Sequence, residues 1–255
     1  MECIYLPDFD LESANIQIPS QELQHIKALR LKPNEKIFIT NGTGTTAIAK
    51  ISRAKNIFYI GDIEDIKFGV GELSFRLGLA IGALDNRDRM EFALEKSIEL
   101  GVTDFYILKT KFSSPKNYYH ERLISKSIAA MKQCKRSFLP NIYTCIDINN
   151  INNTNNINIM NNNSITNKNI KNIFSAYEKF ILADENGNDP KSFLYKKETN
   201  MNTLVFIGPE GGFSQNETLF LAKNFNIEKI ALANRRLRAE TAAISALTLF
   251  STMLI

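Results

Sequence analysis

The sequence predicts an α/β protein that opens with a small antiparallel β-barrel. Two observations carry this. Up to about residue 70 the chain is a series of short β-rich segments divided by turn residues, and from Leu73 onward strands alternate with helices, the pattern of a mainly parallel sheet covered on both faces. The change of style falls between Val70 and Leu73, dividing the chain into a barrel domain over 1–71 and an α/β domain over 72–255. With 255 residues, 44% hydrophobic and 23% charged, the chain can bury a real core and does not have the composition of a disordered protein.

In chain order, a short helix over SQELQHIKAL (20–29) precedes three strands, KIFIT (36–40), TAIAKI (46–51) and NIFYIGDI (56–63). Asn41-Gly42-Thr43-Gly44 and Arg53-Ala54-Lys55-Asn56 lie between them and supply turn chemistry. LSFRLGLAIG (73–82) then reads as a buried strand. Asp85 is placed to cap a helix whose Met90, Ala93, Leu94, Ser97 and Ile98 share one face and which ends at Gly101. A strand DFYILKT (104–110), a helix over 118–136 and the strands NIYTCI (141–146), KFILADE (179–185) and NTLVFIG (202–208) follow. A helix starts at Ser214, EKIALA (228–233) is the last strand, and a closing helix runs to Leu254. Residues 149–172, with 13 Asn among 24 positions, interrupt the alternation as a low-complexity insert without chemistry, in which a short helix is expected over Ser164–Asn172.

Several function classes are excluded. The longest uncharged apolar stretch, Thr241 to Ile255, is shorter than the roughly 18 residues that span a bilayer, so no membrane partner is expected. The N-terminus MECIYLPDFD lacks the basic region of a signal peptide, which places the protein in the cytoplasm. Cys3, Cys134 and Cys145 form no CxxC pair, which disfavours a disulfide framework and a structural zinc site. With only His25 and His120, and no HExxH, no metal is expected and no nucleophile–base pair of a hydrolase is available.

The strongest local signal is Ile207-Gly208-Pro209-Glu210-Gly211-Gly212-Phe213-Ser214, which follows the strand TLVFI and precedes a helix. Ligands bind at the carboxyl ends of strands in α/β sheets, and three glycines around Pro209 would let main-chain N–H groups approach one. Ser214 with Glu217 has the spacing of a capping box. Neither GxxxxGK[ST] nor a GxGxxG after a first strand is present, so the familiar nucleotide loops are disfavoured. The second signal, Arg235-Arg236-Leu237-Arg238-Ala239-Glu240-Thr241-Ala242-Ala243, opens the last helix; its basic loop suits an anion, and Glu240 suits the helix dipole. That helix is apolar nearly all round, with Ala243, Leu247, Phe250 and Leu254 on one stripe and Ile244, Leu249 and Met253 on others, so one core does not cover both sides and a partner subunit is expected in a homodimer.

The net charge is only +4, but it is clustered. From His25 to Lys55 seven Lys and Arg stand against Glu35 alone, and from Lys116 to Arg136 six stand against Glu121. Such stripes suit a polyanion, through counterion release.

IGPEGGFS near residue 210 together with LRAETAA near residue 240 resembles the RsmE family, ribosomal RNA uracil-N3 methyltransferases of the SPOUT superfamily. Asn86 to Val102 (NRDRMEFALEKSIELGV), Gln133-Cys134-Lys135-Arg136, His25-Ile-Lys-Ala-Leu-Arg30-Leu and Asn41-Gly42-Thr-Gly44 are similar to further family elements, so the likeness covers nearly the whole chain. Lys132, where an acidic residue is usual, and Phe112, where Arg is common, depart from the pattern, and the Asn-rich insert has no counterpart.

The resemblance implies a PUA-like barrel joined to a SPOUT domain that binds S-adenosylmethionine in a deep trefoil knot. By motif match the cofactor is expected at Leu182, Ala183, Ile207, Gly208, Pro209, Glu210, Gly211, Gly212, Leu232, Leu237, Arg238 and Thr241. The implied reaction is methyl transfer to N3 of a uridine in 16S ribosomal RNA, as naked RNA or in the small subunit. Arg238 is expected to stabilise the anionic base, and Glu210 or Glu240 to accept the N3 proton. RNA is expected on His25, Lys27, Arg30, Lys32, Arg53, Arg87, Arg89, Lys132, Lys135 and Arg136. A methyltransferase of another RNA, such as transfer RNA, and a non-catalytic RNA-binding assembly factor are the alternatives; mapping of the modified nucleotide and calorimetry with the cofactor separate them.

Overall fold

A computed structural model describes residues 1–9, 16–28, 30–54, 57–113, 120–148, 158–161, 164–166, 174–191 and 201–252. It divides into two compact units, Met1–Glu72 with Ile128–Leu139, and Leu73–Ser127 with Pro140–Ile255.

The first unit holds β1 (Cys3–Tyr5), β2 (Ile16–Gln17), α1 (Ser20–Ala28), β3 (Lys36–Thr40), β4 (Thr45–Ala54) and β5 (Ile57–Phe68). Its sheet has the order β1-β3-β4-β5-β2. Strands β3, β4 and β5 form the expected antiparallel meander, and β2 joins it antiparallel to β5. β1 pairs parallel with β3, and β1 and β2 remain the two edges, so among the described residues the sheet is open rather than closed into a barrel. Period-two alternation turns Ile37, Ile39, Ala47, Ala49, Ile51, Phe58 and Ile60 to one core with Ile4, Leu6, Ile18 and Ile26.

The segment Ile128–Leu139 carries the end of α3 (His120–Cys134). Lys135 there takes a left-handed φ of 56°, and the N–H of Arg136 donates to the carbonyl of Met131. This helix-ending motif usually uses glycine, and here it turns Arg136 back into the unit.

In the second unit β6 (Leu77–Gly82), α2 (Arg87–Glu99), β7 (Asp104–Lys109), β8 (Asn141–Asp147), β11 (Lys179–Asn188), β12 (Thr203–Ile207), α4 (Gln215–Asn224), β13 (Ile227–Ile230) and α5 (Ala239–Thr252) follow the alternation expected. Within the Asn-rich insert, β9 (Asn158–Asn161) and β10 (Ser164–Thr166) extend the sheet antiparallel beyond β8. The sheet order is β10-β9-β8-β7-β6-β12-β11-β13, parallel from β8 through to β13. Ser164–Thr166 is therefore a strand and not the start of a helix; its Ile-Thr pair suits a pleated edge, and the open side of β8 supplies a template. Helix α2 is capped by Asn86 rather than Asp85, with Asn86 Oδ1 accepting from the N–H groups of Asp88 (2.8 Å) and Arg89 (3.3 Å). Ser214 and Glu217 form the capping box at α4.

A buried carboxylate organises the amino-terminal edge of this sheet. Asp104 accepts from Arg76 (2.5 and 3.1 Å), Thr103 (2.8 Å), Asn141 (2.8 Å) and Tyr177 (2.7 Å), groups that stand at or just before the first residues of four strands. Desolvation and the neighbouring Asp104 charge push the Tyr177 hydroxyl well above its ordinary range, so it stays a proton donor.

One apolar stripe of α5 packs on its own chain. Ala243, Ala246, Leu247 and Phe250 are buried, and the helix packs on α2, β6 and β12. Leu254 lies outside the described residues.

Candidate active site

At the opposite, carboxyl edge of the sheet the loops of three neighbouring strands converge. A cavity of about 870 Å³ is lined by Leu182 to Glu185 of β11, Ile207 to Phe213 after β12, and Leu232, Ala233 and Arg235 to Ala239 after β13, joined by Asn86 and Arg89 at the start of α2. Its size falls within the roughly 300–1,000 Å³ of small-molecule sites, and Leu182, Ile207, Pro209, Leu232 and Leu237 give it apolar walls.

Of the residues expected at a cofactor, Leu182, Ala183, Ile207, Gly208, Pro209, Glu210, Gly211, Gly212, Leu232, Leu237 and Arg238 line this cavity. Thr241 does not: in the first turn of α5, it is exposed and outside the lining. Asn86 and Arg89 join the lining without having been expected there. The signal that could have found them is their position, since they follow β6, whose carboxyl end lies on the same edge.

The three glycines of the loop each have a cause within the chain. A Cβ on Gly208 would lie 2.8 Å from Gly212 Cα, one on Gly211 would lie 2.7 Å from Phe112 Cβ, and Gly212 has a φ of +72°. The N–H of Gly212 donates to the carbonyl of Pro209 at 2.8 Å and closes the turn. Loop geometry alone therefore demands these glycines.

Glu210 and Glu240 are brought together by Arg89. Its Nε and Nη2 donate to the two carboxylate oxygens of Glu240 (2.9 and 2.5 Å), and Nη1 donates to Glu210 Oε1 (2.8 Å). Burial alone would raise the Glu240 carboxyl, but the hydrogen bonds and charge of Arg89, with help from Arg238, hold it below its ordinary value. A carboxylate held as a salt is a weak base, so Glu240 is ill suited to accept a proton. Arg236 Nη2 donates to the main-chain carbonyl of Glu210 at 2.7 Å, a second tie between the two loops. The exposed Arg238 guanidinium makes no hydrogen bond or ion pair among the described residues. In the cavity wall, Lys229 Nζ donates to Asp184 Oδ2 at 2.8 Å, joining β13 to β11.

The expected RNA contacts divide. Lys27, Arg30, Lys32, Arg53 and Lys135 are exposed on the first unit, with His25 partly so, and Arg87 is exposed on the second. Three do not fit that expectation. Arg136 is buried on Glu72, Lys132 donates to both oxygens of Glu22 at 2.8 Å, and Arg89 is held by its two carboxylates. In each, an internal acid takes up the charge a phosphate would need. Cys3 is buried, which pushes its thiol up to about 12 and leaves it inert. Among the described residues no cluster of His, Cys, Asp and Glu could hold a metal ion, and no helix is long and apolar enough to cross a membrane.

The family model described as RNA methyltransferase domain matches residues 71–251, and the one described as RNA methyltransferase PUA domain matches residues 18–64. These matches define the class as RNA methyltransferases. Among curated proteins, the ribosomal RNA small subunit methyltransferase E of Rickettsia conorii is 28% identical over 249 residues, covering 96% of this chain and 92% of its own. That of Mesomycoplasma hyopneumoniae is 30% identical over 231 residues, 89% of each chain. The chain belongs to the ribosomal RNA small subunit methyltransferase E family. The fold agrees: the Neisseria gonorrhoeae ribosomal RNA small subunit methyltransferase E, solved bound to S-adenosyl methionine, superposes with a TM-score of 0.75 at 22% identity, covering 100% of this chain and 98% of that one.

Proposed function

We propose that the chain transfers the methyl group of S-adenosylmethionine to N3 of a uridine in 16S ribosomal RNA of the small subunit. The observation that carries this reading is the convergence of IGPEGGFS and the loop opening LRAETAA on one cavity with β11. The residues present fit the cofactor. Leu182, Ile207, Pro209, Leu232 and Leu237 offer an apolar surface for an adenine, the loop main chain offers N–H and C=O groups, and Glu185 offers negative charge toward a cation, Asp184 and Glu210 being paired with Lys229 and Arg89. When bound, this cofactor supplies an electrophilic methyl group.

The chain's own residues handle the uracil. The N3–H is a weak acid, so its loss leaves an anion that needs a cation nearby, and Arg238 is the group assigned to it. Both candidate bases meet Arg89, but Glu210, 38% exposed in its side chain, meets it through one oxygen while buried Glu240 is held by both, so Glu210 is the better placed of the two. RNA is assigned to Lys27, Arg30, Lys32, Arg53 and Lys135 on the first unit, with a uridine drawn out of its stack to reach the site. A trefoil knot around the cofactor loops, a cytoplasmic location and a homodimer complete the reading. Partly exposed Ile244 and Leu249 on α5 support the dimer, which light scattering would report as about twice the 28.9 kDa chain mass.

Purified protein is incubated with labelled cofactor and either undermethylated 30S subunits or undermethylated transfer RNA, and the RNA is digested. N3-methyluridine in the 16S RNA is the expected product; its absence overturns the proposal, and label in transfer RNA alone assigns a different substrate.

A further inference from the structure

Arg89 satisfies two acids that come from two different segments beside the cavity, while standing on a third element itself. Glu210 lies in the turn after β12, Glu240 in the first turn of α5, and Arg89 in the first turn of α2. The guanidinium divides its donors so that one edge, Nε with Nη2, meets both oxygens of Glu240, and the remaining Nη1 meets Glu210. Lysine would do this less well, because its three donors radiate from one nitrogen, whereas the planar guanidinium sets one edge against a carboxylate and still directs a separate nitrogen at another.

The surroundings favour a rigid join. Arg89 is 23% exposed in its side chain and Glu240 is 9%, so water competes poorly for the bidentate pair. The start of α2 is itself anchored, since Asn86 Oδ1 accepts from the N–H of Arg89, and α2 packs along α5. Both Asn86 and Arg89 line the cavity. Arg236 ties the same two loops from the solvent side, but it grips only the main chain of Glu210.

We infer that Arg89 is a positioning residue for the cofactor: by holding Glu210 and Glu240 at once it keeps the loop after β12 and the start of α5 in the one arrangement that shapes the cavity. This rests on the reading of the cavity as the S-adenosylmethionine site. Preorganised loops lose less freedom when the ligand arrives, so the contribution falls on cofactor binding and not on the chemical step.

The experiment measures S-adenosylmethionine binding by calorimetry and methylation kinetics for the wild type, Arg89→Gln and Arg89→Lys, with thermal melting of each. Arg89→Gln is expected to raise the cofactor Kd and KM by about tenfold or more while kcat at saturating cofactor falls less than threefold, with Arg89→Lys between it and the wild type. A purely structural role would lower the active fraction, which reduces kcat and leaves KM unchanged, and that result overturns the inference. Equal cofactor affinity in Arg89→Gln and wild type overturns it as well. Wild type that binds no S-adenosylmethionine overturns the assignment of the cavity, and this inference with it. Should Arg89→Gln unfold because buried Glu240 loses its partner, the double variant Arg89→Gln/Glu240→Gln removes the stranded charge, and the same comparison of KM and kcat decides the matter.

Discussion

Arg136 donates to Glu72 through Nε at 3.1 Å and Nη2 at 2.6 Å, and the two side chains are 2% and 12% exposed. Glu72 also accepts from the N–H groups of Ser137 and Phe138, each at 3.0 Å, so one carboxylate gathers the whole turn that follows α3. Removing one partner of such a pair strands the other in a low dielectric. Arg136→Ala is expected to lower the unfolding free energy by about 3–5 kcal/mol, read from the urea midpoint. A loss of less than about 1 kcal/mol, the level of an exposed pair, would refute this account.

The exposed bases of the first unit act differently. Combined replacement of Arg30, Lys32 and Arg53 by Ala should leave the melting temperature nearly unchanged and flatten the dependence of log K on log salt by roughly 0.7 to 0.9 for each phosphate no longer neutralised. S-adenosylmethionine affinity should not change. An unaltered slope would show that these side chains neutralise no phosphate.

Arg238→Ala is expected to lower kcat by roughly 10²–10³ at saturating RNA and cofactor, the cost of deleting one donor aimed at a developing anion. Arg238→Lys should restore part of it, because the charge remains while the fork is lost. Wild-type kcat in Arg238→Ala would remove this residue from the chemistry.

Glu240 predicts a pH effect of definite sign. Burial opposes its charge, yet Arg89 outweighs burial, so the folded carboxyl titrates below the ordinary 4.5. A depressed acid stabilises the fold fully above its unfolded pKa, and that stabilisation is lost as pH falls through the folded one. Wild type should therefore lose stability below about pH 4.5 more steeply than Glu240→Gln, as followed by unfolding at a series of pH values. Parallel curves would contradict the pairing.

What could be read from the residues was local. Strand and helix periodicity, the capping box at Ser214 and the loops that form the cavity each lie in a short window of chain, and each strand-end loop announces itself by glycine, proline or arginine next to an apolar run. The errors share the opposite property. The partners of Arg136 and Lys132 lie 64 and 110 positions away in sequence, so counting charge along the chain saw a basic stripe where the fold makes internal salts, and those of Arg89 lie as many as 151 away. The same distance hid the packing of Phe250 on its own domain, because a helix apolar on several sides does not reveal which neighbour covers it.

The Asp104 network gives the parallel sheet two unlike ends. At the amino edge four strands are pinned by one shared carboxylate, while at the carboxyl edge the strands run into loops joined chiefly by the ion pairs of Arg89 and Lys229. Opening should then begin at the loops and propagate toward Asp104, so that amide protons of Phe105 and Ile142 exchange only with global unfolding while those of Gly211 and Leu237 exchange through small local excursions. The molecule is in effect hinged from one side: a ligand can be admitted, and the strands that frame it never have to come apart.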